Sequence, residues 1–172
     1  GIEGGMSVGY ALVQGDVTFT DAQHGWAVGG NGEVVYTANG GSTWTQQTLS
    51  CGYPTCPIRL YAVEFLTNQE GWLGGEDLYH TTNGGATWSG NTIANHIALW
   101  GVSCTNTNTG TAVGDSGTIL RTTDAGATWV SQVSGTTSQL AGIAFTDANN
   151  GTCVGENGTI LRTTNAGITW TN

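Results

Sequence analysis

The stretch TTDAGATW at residues 122–129 has three near-copies in this 172-residue chain: TANGGSTW ending at Trp44, TTNGGATW ending at Trp88 and TTNAGITW ending at Trp170. The four tryptophans are 44, 41 and 41 residues apart. Self-similarity at a fixed period of this size marks a repeat architecture. Aligned on the tryptophan, each unit opens with an alternating apolar segment: DVTFTD, AVEFLTN, GVSCTNT and GIAFTDA. A turn leads to a glycine-bounded segment, HGWAVGG, EGWLGGE, TGTAVGD or NGTCVGE, and a short glycine turn to a third, EVVYT, DLYHT or, twice, TILRT. The repeated turn and a fourth segment, such as STWTQQT or ATWVSQV, complete the unit. Four short strands in about 40 residues, with turn chemistry at every join, predict a four-stranded antiparallel meander.

Composition agrees. The chain has 29 glycines and 29 threonines, 7 tryptophans, only 2 prolines and 9% charged residues. That balance opposes helices and favours short strands joined by tight turns. One meander cannot bury both of its faces, so neighbouring sheets have to stack face to face as blades. The expectation is an all-β fold of four propeller-type blades, closed as a small propeller or continued between subunits. Blade 1 is placed at 16–50, blade 2 at 51–92 with a cysteine loop at 51–56, blade 3 at 93–133 and blade 4 at 134–172. Residues 1–15 are left over. The spacing from Trp170 to the end and from the start to Val17 totals the 19 residues that separate Trp44 from Val63. The N-terminal segment, with its strand-like MSVGYALVQ, is therefore expected to complete the last blade or to be donated to a neighbouring copy.

The repeated turn reads as a structural element. Asn39, Asn83, Asp124 and Asn165 can accept backbone N–H groups two or three residues on. Gly41, Gly85, Gly126 and Gly167 fall where a positive φ is needed. Trp44, Trp88, Trp129 and Trp170 start the outgoing strand and can fold beneath the hairpin. Four equivalent peripheral turns do not bring different groups to one point, as catalysis requires.

The turn resembles the Asp-box, or BNR repeat, of sialidases, sortilin-like receptors and related β-propellers. The longer unit, with its Gly-Trp on the second strand, resembles the propeller family of photosystem II stability and assembly factors, whose repeat also occurs in many bacterial extracellular proteins. The resemblance covers residues 16–172. It implies a propeller, but no single activity, because such repeats scaffold unrelated functions. Two departures stand out: Thr111 and Thr152 replace the tryptophans of the Gly-Trp position (Trp26, Trp72), and four units stand where the family has about seven blades.

Sialidase-type chemistry needs three converging arginines, and the chain has three in all, of which Arg121 and Arg162 occupy equivalent repeat positions. No nucleophile elbow, Walker loop or Ser/His/Asp constellation is present. The reading is therefore non-enzymatic, with no cofactor and no metal. A net charge of −9 without a single lysine disfavours nucleic acid as a partner. No apolar run is long enough to span a bilayer. The four cysteines lack zinc spacing and suggest an oxidising compartment. Disulfides are expected between Cys51 and Cys56 and, across the blade 3/blade 4 interface, between Cys104 and Cys153. With GIEGG read as a processed terminus, the chain is placed outside the cell or at its surface, or in a periplasm or lumen.

Two functions remain open. One is a scaffold or structural assembly unit, polymerising head to tail through the N-terminal segment. The other is a binding module for a protein or carbohydrate on the face opposite the boxes. There the second-to-third turns carry Glu33, Glu76, Asp77, Asp115 and Glu156, and the interblade links carry Tyr53, Arg59, Tyr61, His96 and Trp100. Asn150 and Asn157 stand in Asn-Gly-Thr sequons, candidates for glycosylation, although Asn-Gly also suits a tight turn.

Overall fold

The computed structural model describes residues 15–49, 59–91, 93 and 96–172. Unit 1 contains β1 (Asp16–Phe19), β2 (Gly25–Val28), β3 (Val34–Thr37) and β4 (Thr45–Gln47). Unit 2 contains β5 (Leu60–Phe65), β6 (Gly71–Gly75), β7 (Leu78–Thr81) and β8 (Ser89–Asn91). Unit 3 contains β9 (Leu99–Asn106), β10 (Thr109–Gly114), β11 (Ile119–Thr122) and β12 (Val130–Gln132). Unit 4 contains β13 (Leu140–Phe145), β14 (Gly151–Gly155) and β15 (Ile160–Thr163). Strands lie in sequence order in every sheet, antiparallel to their neighbours. The fourth strand of unit 4 is represented by one bridge, Arg162 to Thr171. The expected all-β meander blades are therefore present. The N-terminal segment assigned to the last blade, Cys51, Cys56 and Tyr53 lie outside the described residues.

Cross-strand register gives each sheet a front and a back. In unit 2, Val63 pairs with Leu73, and Phe65 lies two residues from Val63, so all three share the front. They pack against Trp26, Val28 and Val34 on the back of unit 1. Trp72 and Ala62 form the back of unit 2 and meet Val102 and Cys104 of unit 3. Val113 and Ile119 on the back of unit 3 meet Leu140, Cys153 and Leu161 of unit 4. The first strands follow one another along one side of the arc, β1 beside β5, β5 beside β9 and β9 beside β13.

This register corrects the second disulfide. Cys104 and Cys153 are both free thiols, both buried. Cys153 pairs with Ile143, two residues from Phe145, the counterpart of Cys104. The two cysteines therefore occupy the same face of their own sheets, not opposite ones. Each looks back at the preceding unit, and the unit 3 sheet stands between them. Burial pushes both thiols above their usual pKa, Cys153 to about 11, so they act as small apolar core groups.

Each interface is also clasped beside the first strands by a side chain that accepts a backbone N–H from the next unit. Asp16 Oδ2 accepts from Val63 N at 3.0 Å, Glu64 Oε2 from Cys104 N at 2.8 Å and Ser103 Oγ from Phe145 N at 3.1 Å. These contacts satisfy amide groups that no neighbouring strand reaches. Glu64 is the costly member. Desolvation, opposed by its hydrogen bonds to unit 3, raises its carboxyl to a pKa of about 7.

Because the folded pKa lies above the unfolded one, Glu64's contribution is fully present below pH 4.5 and is lost as pH rises through 7. The loss is on the order of 3 kcal/mol once the group ionises in both states. Glu64→Gln keeps an acceptor for Cys104 N and is expected to raise the melting temperature at pH 8 while changing it little at pH 4.5. Thermal melts at the two pH values check this.

Candidate functional site

The four boxes share one hydrogen-bond pattern. In the first, Thr37 Oγ1 donates to Asn39 Oδ1 at 2.9 Å and accepts from Gly41 N at 3.0 Å. Asn39 Oδ1 also accepts from Thr43 N at 2.9 Å. The carboxamide therefore reaches four residues on, not two or three, because Gly40 and Gly41 both take positive φ and coil the chain around it. Units 3 and 4 place Ala125 and Ala166 where unit 1 has Gly40, at φ of 58° and 59°. Thr81, Thr122 and Thr163 repeat the role of Thr37, and all four threonines are buried. Asp124 substitutes for asparagine without loss because Thr128 Oγ1 reverses and donates to Asp124 Oδ2 at 2.6 Å. These hydrogen bonds hold the Asp124 carboxyl below its usual pKa.

The boxes also do something the sequence did not reveal: they clasp the preceding unit. Gln47 Nε2 at the end of β4 donates to Gly84 O at 2.7 Å, Asn91 Nδ2 to Gly126 O, and Gln132 Nε2 to Ala166 O at 3.3 Å. The box glycine is required twice over. Besides its φ of 83°, a Cβ on Gly126 would stand 2.7 Å from Trp72 of unit 2.

The box tryptophans cross the strand-one phenylalanines edge-on, Trp88 on Phe65 at 5.9 Å and Trp170 on Phe145 at 6.0 Å. Where Cys104 replaces phenylalanine, Trp129 turns instead to Trp72 of unit 2, at 5.5 Å. The Gly-Trp tryptophans cover the next unit, and Trp26 stacks on Phe65 at 3.7 Å. In unit 3 that tryptophan is Thr111. Arg121 takes over, hydrogen-bonded to Thr111 Oγ1 at 2.9 Å and placed 5.3 Å from the centre of the Phe145 ring. One of the three arginines is thus committed between blades.

At the opposite end of the sheets, β5, β9 and β13 each carry a bulge at their first turn. The register skips Tyr61, Trp100 and Ala141. Bulges re-aim side chains, and here Tyr61 and Trp100 stack at 4.2 Å as a half-buried ledge. Trp100 Nε1 donates to Asp115 Oδ1 at 2.6 Å, fixing the indole. Asp115 N donates to Ala98 O, Glu76 N to Arg59 O and Glu156 N to Gln139 O, so an acid flanks each bulge.

The candidate face is thus partly assembled. Tyr61, Trp100 and Asp115 form one cluster, with Glu76 and Glu156 at equivalent flanking positions. Asp77 accepts from Ile93 N at 3.0 Å and lies 3.8 Å from His96, which is exposed. Arg59 is exposed beside the link. Glu33 stands apart from the acids that flank the bulges: the place held by Asp115 in unit 3 is Gly30 in unit 1, and Glu33 sits three residues later, closing the turn through its carbonyl. Asn150 donates its amide to Asp147 at 2.8 Å, and Asn157 takes φ of 56° in an exposed turn, so both sequon asparagines serve turn geometry. Among the described residues, no group of three or more His, Cys, Asp or Glu side chains is placed to hold a metal ion. A shallow hollow of about 630 Å³ on unit 3 is lined by Ser, Thr, Gly, Gln and Val, with no acid–base pair.

Thr122→Val removes the acceptor for the buried N–H of Gly126 and the partly buried N–H of Asp124, and is expected to cost about 2 kcal/mol in chemical denaturation. Trp129→Ala is expected to cost roughly 3–5 kcal/mol.

Comparison with known proteins places this geometry in context. Residues 6–141 match the family model described as photosynthesis system II assembly factor YCF48. The photosystem II assembly lipoprotein Ycf48 of Synechococcus sp. (strain CC9902) is 38% identical over 61 residues, which is 36% of this chain and 18% of that protein. The chain thus matches under a fifth of that relative's length. Among solved structures, YCF48 from Cyanidioschyzon merolae superposes with a TM-score of 0.72 at 24% identity, over 91% of this chain and 54% of that one. A YCF48 structure with bound D1 peptide superposes at 0.63 and 20% identity, over 90% and 79%. An ancestral GH74 enzyme superposes at 0.69 and 16% identity, over 90% and 23%. At these identities the structural likenesses establish the β-propeller blade fold alone.

Proposed function

This chain belongs to the photosynthesis system II assembly factor YCF48 family, and from that premise we propose that it is a non-enzymatic, extracytoplasmic module that holds an extended segment of another protein. The observation that carries this reading is the Tyr61–Trp100 ledge, raised on two bulges at the end of the sheets opposite the boxes. An aromatic pair with one hydrogen-bonded indole offers a rigid apolar surface at low entropic cost. Glu76, Asp115 and Glu156 at the bulges favour a partner carrying basic as well as apolar side chains. A family member solved with a peptide bound supports a protein segment over a sugar as ligand. The absence of converging arginines, with Arg121 spent between units 3 and 4, argues against glycosidase chemistry of the sialidase kind. Membership of a family with a lipoprotein member supports a periplasmic or lumenal site.

The probe is an eight-residue peptide of alternating Arg and Leu, with its Glu/Leu counterpart as control, titrated while amide resonances are followed by NMR. The Arg/Leu peptide is expected to shift resonances at Tyr61, Trp100 and Asp115, and raising salt is expected to weaken it. Tyr61→Ala with Trp100→Ala is expected to weaken binding tenfold or more while the fold persists. Shifts centred on the boxes, or equal binding of both peptides, would refute the reading.

A further inference from the structure

The aromatic ledge is a stack that stops one step short. Strands β5, β9 and β13 run side by side, and their bulges carry Tyr61, Trp100 and Ala141 at one and the same place. Tyr61 and Trp100 lie ring on ring at 4.2 Å, with 27° between their planes. The third step has only a methyl group, and Ala141 is exposed. Unit 4 nevertheless stands close enough to have continued the stack. A Cβ built on Gly101, next to Trp100, would lie 3.2 Å from the Cα of Gly142, next to Ala141. One face of the Trp100 indole is thus covered by Tyr61, and the other is turned to the side of unit 4. Strands β9 and β13 and the link 133–139 border this step, so it depends on neither end of the chain.

The chemistry of the step favours a flat cation. An indole face presents the negative end of the ring quadrupole and attracts positive charge. Asp115 reinforces this at the indole edge: Oδ1 accepts from Trp100 Nε1 at 2.6 Å, and Oδ2 has no hydrogen-bond partner among the described residues. Glu156 stands in unit 4 where Asp115 stands in unit 3. Its amide donates to Gln139 O at 2.9 Å, as that of Asp115 donates to Ala98 O at 3.0 Å, and its side chain is exposed. The net charge of −9 draws cations to the whole molecule. A guanidinium lies flat on an aromatic ring and offers N–H groups along its edge, whereas a lysine ammonium is a strongly hydrated point charge that cannot stack. The chain makes the same exchange internally. Where Thr111 takes the place of the second-strand tryptophan, Arg121 stands in for it, 5.3 Å from the centre of the Phe145 ring.

Resting on the reading of the ledge as a surface for a protein segment, we propose that the step over Ala141 is an arginine subsite. The guanidinium of an arginine in the bound segment lies on the open face of Trp100 as the third member of the stack, between the carboxylates of Asp115 and Glu156. Ala141 is then the position that determines specificity, because a larger side chain there fills the place itself.

Three eight-residue peptides test the subsite, alternating Leu with Arg, Lys or citrulline, which keeps the shape of arginine without its charge. Binding is followed by NMR at the Trp100 indole N–H and the Tyr61 amide, in the wild type and in Ala141→Trp. The Arg/Leu peptide is expected to bind the wild type about fivefold or more tightly than either of the others. Ala141→Trp is expected to abolish that preference. Circular dichroism melts confirm that the variant folds, and Ala141→Leu, a smaller plug, replaces it if the tryptophan lowers the melting temperature. An Arg/Leu peptide matched at the ledge by Lys/Leu or citrulline/Leu overturns the subsite and leaves the ledge reading standing. An arginine preference that survives the plug at Ala141 does the same, since the guanidinium then lies elsewhere. No binding of any of the three at Tyr61 and Trp100 overturns both.

Discussion

Every unit of this protein is a small sheet with two apolar faces, and no unit is large enough to cover either face by folding on itself. That constraint makes the interface between successive blades the contact on which the rest depends. Trp26 laid flat on Phe65 at 3.7 Å is its fullest form, uniting a second-strand aromatic of one unit with a first-strand aromatic of the next. Burying two such rings contributes several kcal/mol. The interface is closed at one edge by Asp16, Glu64 and Ser103, and at the other by Gln47, Asn91 and Gln132 reaching the following box.

The same constraint explains why the repeats diverge where they do. Replacing tryptophan by Thr111 would leave Phe145 uncovered, and Arg121 fills that space with a planar cation anchored on the threonine hydroxyl. Replacing phenylalanine by Cys104 frees room beside Trp72, and Trp129 moves into it from the box. Each substitution is answered on a neighbouring strand or blade, so the interface keeps its volume while its chemistry changes from aromatic stacking to cation–π contact. The boxes hardly vary, because a turn with two successive positive φ values and a buried threonine accepts few alternatives.

In the proposed function, the ligand meets what this packing leaves over. Among the described residues, the inner faces are consumed by neighbours and the box edges by clasps, while the bulged end of the first strands stays accessible. On the bulged end, the repeat positions vary freely: Tyr61 and Trp100 in two units, Ala141 in a third. Variation at a position that bears no packing is where a repeat protein can acquire a ligand. The partly buried Glu64, raised to about 7, is a costly group kept at an interface, and it couples the stability of the arc to pH.

The four blades, their strand order and the place of the boxes between the third and fourth strands were legible in the sequence, because turn chemistry and alternation act over a few residues. Asn39 and Gly41 announce the turn whatever surrounds them, and the glycine-bounded strands announce the meander. The expected pairing of Cys104 with Cys153 fails because side-chain direction depends on cross-strand register, which no single strand encodes; Ile143 opposite Cys153 puts both cysteines on the same face of their sheets. Glu33 differs from the other acids in a way the sequence does not show: it reveals that a turn has an acid, not which backbone position of the turn that acid takes. Gln47, Asn91 and Gln132 carry no local signal, since a polar residue at a strand end matters only when another blade's carbonyl lies within reach. The bulges at Tyr61 and Trp100, and the exposure of Phe19 and Ile160, are likewise properties of the stacked arc. Local sequence determined the kind of blade, and only the packing of one blade on the next decided which of its side chains are buried, clasped or left free to bind.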